Sequence, residues 1–96
     1  MPKNKEMGKD VLSILENCIG LHGNHLNIKV QAKLTMKSGT VIVCVVTKID
    51  HAKRVVMAVG MNDVGKVGPA FSIDQLIASA GSINFDDIIT AECLRS

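Results

Sequence analysis

A glycine-lysine motif, three histidines, two adjacent aspartates and three cysteines are the places where this 96-residue chain could do chemistry. Gly60, Gly65 and Lys66 fit G-x-x-x-x-G-K after an apolar run. A phosphate-binding loop of that kind needs Ser or Thr next, to hold magnesium, and a helix opening onto the phosphates. Val67 follows Lys66 and Gly68-Pro69 blocks an immediate helix, so nucleotide chemistry is not expected. His22 and His25 stand at the H-x-x-H spacing that two ligands of one metal can have, but no nearby acid completes a set, and Cys18 falls on an apolar stripe. They read as surface-loop histidines. His51 lies in a turn sequence. Asp86 and Asp87 are neighbours in an extended segment, where successive side chains diverge, so a corner is expected there and not an acid–base pair. Cys18, Cys44 and Cys93 are odd in number and sit among apolar residues. They read as buried free thiols of a reducing compartment, where burial raises the thiol pKa and makes it inert. No catalytic constellation, cofactor or metal site is expected.

The elements that would position these residues are legible from composition and period. Apolar residues make up 47% of the chain, yet Phe71 and Phe85 are its only aromatics, so a core must be built from Val, Ile, Leu, Met and Ala. This length supports one domain, residues 1–96, with residues 1–8 as a flexible tail. No run approaches the roughly 18–20 apolar residues of a membrane span. The polar N-terminus lacks the pattern of a secretory signal, and a cytoplasmic protein with no membrane contact is expected. Net charge is +2, too small to point to nucleic acid by itself. Its basic excess sits early, with Lys3, Lys5, Lys9, Lys29, Lys33 and Lys37 against Glu6, Asp10 and Glu16.

Val11, Leu12, Ile14, Leu15, Cys18 and Ile19 recur at helical spacing and predict a helix over 9–19, ended by Gly20 or Gly23. Gly23-Asn24 is a turn. From 28 to 37, Ile28, Val30, Ala32, Leu34 and Met36 alternate with polar residues, which predicts a half-buried strand with Lys29, Lys33 and Lys37 along its solvated face. Residues 41–46 are apolar without alternation, so both faces of the next strand want cover, from the middle of a sheet, a bent barrel or a second copy of the chain. Residues 50–53 reverse the chain, and a third strand follows over 54–59. Four glycines and a proline in 60–69 predict a mobile loop. Ser72 with Gln75 fits a capping box, predicting a second helix over 73–80 that Gly81 stops. Strands over 82–85 and 88–94 flank the Asp86-Asp87 corner.

In the central stretch, Met36, Gly39, Val46, Asp50 and then Val55, Val56 and Met57 stand at the spacings of the first Sm motif. The chain there resembles Sm and Sm-like proteins, including the bacterial Hfq-type and YolD-like small barrels. The resemblance covers roughly residues 28–59 and 82–94. It implies an α+β fold: an N-terminal helix, then a strongly bent five-stranded antiparallel small barrel, here with a short second helix before the last two strands. Cys44 stands where the family commonly has Gly in the bent strand, and Arg54 stands where its RNA-contacting Asn would fall. The Arg-Gly pair of the second motif is absent, so the family's uridine pocket does not carry over.

These readings converge on a non-enzymatic interaction module that self-associates, with Val41, Val43 and Val45 at the homo-oligomer interface, and binds a macromolecular partner. The alternative is RNA or DNA binding through Lys29, Lys33, Lys37, Lys48, Lys53 and Arg54. A second alternative is a small-molecule site or undetected enzyme between the 60–69 loop and the second helix.

Overall fold

A computed structural model of the chain describes residues 7–95. The predicted tail lies outside the described residues over 1–6, and Met7 and Gly8 belong to the first helix, α1 (Met7–Glu16). The helix stops three residues short of the predicted end. Ile19 bridges Val46, and the Gly20 N–H donates to the Val46 carbonyl at 2.8 Å, which draws the chain out of the helix and alongside a strand. Neither predicted glycine caps the helix. A side chain at Gly20 would collide with Val45 and come within 3.0 Å of the Asn27 carbonyl, so close approach is what requires a glycine there. Gly23, at φ +64°, makes the turn of a two-residue hairpin, β1 (Leu21–His22) with β2 (His25–Leu26).

The main sheet is an antiparallel meander: β3 (Val30–Met36), β4 (Val41–Asp50) and β5 (Val55–Gly60). Next come α2 (Met61–Val64), α3 (Ile73–Ala78), β6 (Gly81–Asn84), a 3-10 turn (Phe85–Asp87) and β7 (Ile88–Arg95). Strand order is β6-β5-β4-β3-β7. The expected α+β class and five antiparallel strands are present, but the sheet stays open. β6 has only four residues, all paired with β5, and the next three form the 3-10 turn, so no length is left to pair β6 with β7.

Two cores result, one on each face. On the first, α1 places Leu15 over Ala32, Leu34, Cys44, Val46 and Val56, with Cys18 beside it. On the second, Val45 and Val59 are covered by Leu26 of β2 and Leu76 of α3. Residues 44–46 thus find cover on both faces within one chain. Val45 is fully buried there and has no surface to offer a second copy, a correction to the predicted interface; Val41 is 51% exposed and Val43 half-buried.

The 60–69 stretch is not wholly loop. Met61 and Val64 pack against the second core, which folds the first residues into one helical turn, and Gly68 and Phe71 then exchange backbone hydrogen bonds. The capping box forms as the sequence predicts, with Gln75 N–H donating to Ser72 Oγ at 3.2 Å and Ser72 N–H to Gln75 Oε1 at 2.7 Å. α3 ends at Ala78, two residues early.

The cysteines depart from expectation. Cys18 and Cys93 form a disulfide, and Cys44 alone is a free buried thiol. Apolar surroundings suit a half-cystine as well as a thiol, so burial alone could not separate them. The bridge removes the argument for a reducing compartment.

Candidate functional site

The six predicted basic residues do not gather in one place. Lys33 lies on the second face of the sheet, opposite Glu92 of β7, while Lys29 and Lys37 sit in the turns at either end of β3. Lys48 shares that face with Met57, beyond a bulge at Thr47. Lys53 is exposed in the β4–β5 turn, where its N–H donates to Asp50 Oδ1 at 3.1 Å. Lys29, Lys33, Lys37, Lys48 and Lys53 are all exposed, and none forms an ion pair among the described residues.

Arg54 is held apart from them. Its φ is +57°, the left-handed region that a bulky residue enters only at a cost. Three contacts offset that cost, all to the 3-10 turn. The Arg54 carbonyl accepts from Phe85 N–H at 2.9 Å, the guanidinium donates to Asp86 Oδ1 at 2.9 Å, and it lies 6.0 Å from the Phe85 ring centre. The hydrogen bond and charge of Arg54, with Lys37 further off, hold the Asp86 carboxyl below its usual range. Asp86 is therefore a clamp partner. The Asp87 carbonyl accepts from Lys37 N–H at 2.9 Å, so the predicted corner is pinned from both sides.

Between this clamp and α1 lies a cleft of about 520 Å³. Val11, Leu12, Phe85, Ile88 and Ile89 give it apolar walls, and Ser13, Arg54 and Asp86 stand at its polar side. His51 Nε2 lies 3.3 Å from Glu16 Oε2 and separates it from a second cleft of about 850 Å³, lined among others by Asn17, His22, Asn27 and Lys48. The His51–Glu16 contact and the Arg54–Asp86 ion pair are both largely exposed and so contribute little stability. Sequence reasoning missed Glu16, Ser13, His51 and Phe85 as neighbours. Only the β5–β6 pairing brings Phe85 beside Arg54, and a connection of some twenty residues hides that pairing.

The cleft runs into the outer edge of β7. Met36 N–H donates to the Thr40 carbonyl on the β4 side, at 2.9 Å. Hydrogen bonding alternates along antiparallel strands, so Lys33 exchanges with Glu92, and the main-chain groups of Ala91 and Cys93 turn toward the open edge. Among the described residues no element pairs with that edge. Ile89, at its start, is 51% exposed.

His22 and His25 face each other across the β1–β2 hairpin, both exposed, and no group of three metal-binding side chains occurs among the described residues. Burial pushes the Cys44 thiol up to about 11, so it is not a nucleophile at neutral pH. No described helix is long and apolar enough to cross a membrane. No protein-family model, curated protein or solved structure matches the chain.

Proposed function

We propose that the chain is a non-enzymatic interaction module of the Sm-like kind, which self-associates through the edges of its sheet and holds a macromolecular partner. The open outer edge of β7 carries this reading. Eight residues of strand leave one row of N–H and C=O groups without a partner among the described residues, and such a row pairs readily with another strand. The opposite edge, β6, reads Gly-Ser-Ile-Asn and has none of the charges or prolines that discourage pairing. An edge-to-edge contact between unlike strands is heterologous, and closes into a ring when the rotation permits. Ile88 and Ile89 belong to both the edge and the cleft, so a strand added there also covers apolar surface.

Light scattering on a sizing column at micromolar concentration tests the reading: an oligomer is expected, and monomer alone refutes self-association. Ala91→Pro removes an outward N–H while sparing the β3 ladder. It should release monomer without unfolding the chain.

Lys29, Lys33, Lys37, Lys48 and Lys53, all exposed and without an ion pair among the described residues, support nucleic acid as the partner. Such binding weakens with salt, with a logarithmic slope of about 0.7 per phosphate contacted on a single strand. Binding that ignores salt, or none, removes this second reading.

A further inference from the structure

All three cysteines open onto the same face of the main sheet. Cys44 on β4, Ala32 on β3 and Cys93 on β7 stand opposite one another across three strands, and Cys18 reaches Cys93 from the turn after α1. The bridge joins segments 75 residues apart. It fastens the end of the helical cover to the strand that forms the open edge. We infer that the Cys18–Cys93 bridge is a reversible redox latch that sets how firmly β7 is held for pairing. This rests on the edge-pairing reading above.

Access decides how the latch opens. Cys18 is fully buried, whereas Cys93 is only half-buried on the outermost strand. A thiolate of a small dithiol therefore attacks the Cys93 sulfur. The Cys18–Cys93 bond breaks, a mixed disulfide forms at Cys93, and Cys18 leaves as a thiolate that takes up a proton. The second thiol of the reagent then attacks its own sulfur in the mixed disulfide, releasing Cys93 as a thiol and leaving the reagent as a cyclic disulfide. Two electrons and two protons pass from dithiol to protein.

The reduced state is also provided for. Cys18 Sγ lies 3.1 Å from the Gln31 carbonyl oxygen, which can accept the new S–H, so the core gains no unpartnered thiol. Cys44 stays out of the exchange. Two strand spacings put its Cα about 9.6 Å from that of Cys93, beyond disulfide reach, and its thiol remains protonated at neutral pH. Exchange is thus confined to one pair. Once it opens, β7 is held by β3 on one side and by noncovalent packing of α1.

The test compares amide hydrogen exchange of the full chain, bridged and after reduction by dithiothreitol, with free thiols counted in denaturant. The bridged chain has Cys44 as its free thiol, and reduction adds Cys18 and Cys93. On reduction, amides of residues 17–20 and the amides of Thr90, Glu92 and Leu94, which face β3, should gain about tenfold or more in exchange rate over the amides of β5, beyond the acceleration common to the whole fold. The double variant Cys18→Ala with Cys93→Ala should show the fast pattern and ignore dithiothreitol. The latch is refuted if exchange in β7 is unchanged on reduction. It is equally refuted if β5 and β7 accelerate by the same factor, because the bridge is then only a staple of the whole fold, or if the folded protein resists the dithiol. A bridged chain that stays monomeric at every concentration defeats the edge-pairing reading alone, since the exchange contrast still decides the latch.

Discussion

The two faces of the main sheet are covered by different means. On one, a ten-residue helix lays Leu15 into a continuous core and is tied covalently to β7 by Cys18. On the other, Val45 and Val59 are capped by a six-residue helix, a single helical turn and a two-residue hairpin, joined by glycine-rich chain. The first cover loses its entropy of closure largely through the bridge. The second must order many short pieces for each buried side chain. Local opening should therefore start on the α3 side while the bridge is intact, and the balance should reverse when it is cut.

The strongest way to break this contrast is to remove the bridge. A closed loop of 75 residues is worth about 4 kcal/mol in the unfolded-chain entropy model, so Cys18→Ala with Cys93→Ala should lower stability by about that much in urea titration. Leu15→Ala should cost about 3 kcal/mol, because the tethered helix cannot settle into the cavity. Leu76→Ala, equally buried, should cost about 2 kcal/mol, because α3 can collapse. Equal losses at Leu15 and Leu76 would dissolve the contrast.

A pH titration probes the first face separately. The Cys44 thiol is raised by burial to about 11 from 9.0. A raised value means the folded state holds its proton longer, so this contribution is whole below about 9.0 and is lost as pH climbs through about 11. The loss is about 2 to 3 kcal/mol, and Cys44→Ala should flatten the alkaline arm of the stability curve by that amount. The smallest effects belong to the clamp. Arg54→Ala and Arg54→Gly both lose the guanidinium contacts, but only glycine relieves φ +57°, so the glycine variant should be the more stable by about 1 kcal/mol. Asp86 is depressed, so its contribution is present above about 3.8 and fades as pH falls through the lower folded value; Asp86→Asn should remove that fading.

Local rules explain what could be foreseen. The alternation around Val30, Ala32 and Leu34, the Asp50 turn and the Ser72–Gln75 box each depend on residues within a few positions, and each formed. What escaped depends on distant pairings. Whether Cys93 meets Cys18 or stays free turns on where β7 inserts, and nothing near either cysteine encodes that. The cleft escaped for the same reason, since Glu16, His51 and Asp86 come from three separated elements. Barrel closure was the natural extension of a bent meander, and the shortness of β6 forestalled it. The 60–69 stretch was misjudged because its glycines outweighed Met61 and Val64, whose burial supplies the driving force.

The extra residue at Thr47 carries a consequence for how this chain can vary. Up to Val46, even-numbered side chains of β4 enter the first core; past Thr47, whose hydroxyl donates to the Met57 carbonyl at 3.1 Å, the odd-numbered Ile49 does. Deleting that one residue would leave Val46, Lys48 and Ile49 in plain alternation against Ala58, Met57 and Val56, with Ile49 still in the core and Lys48 still on the other face. The chain should therefore tolerate loss of Thr47 alone, which straightens the strand while the hairpin tip carrying His51, Lys53 and Arg54 keeps its inside and outside.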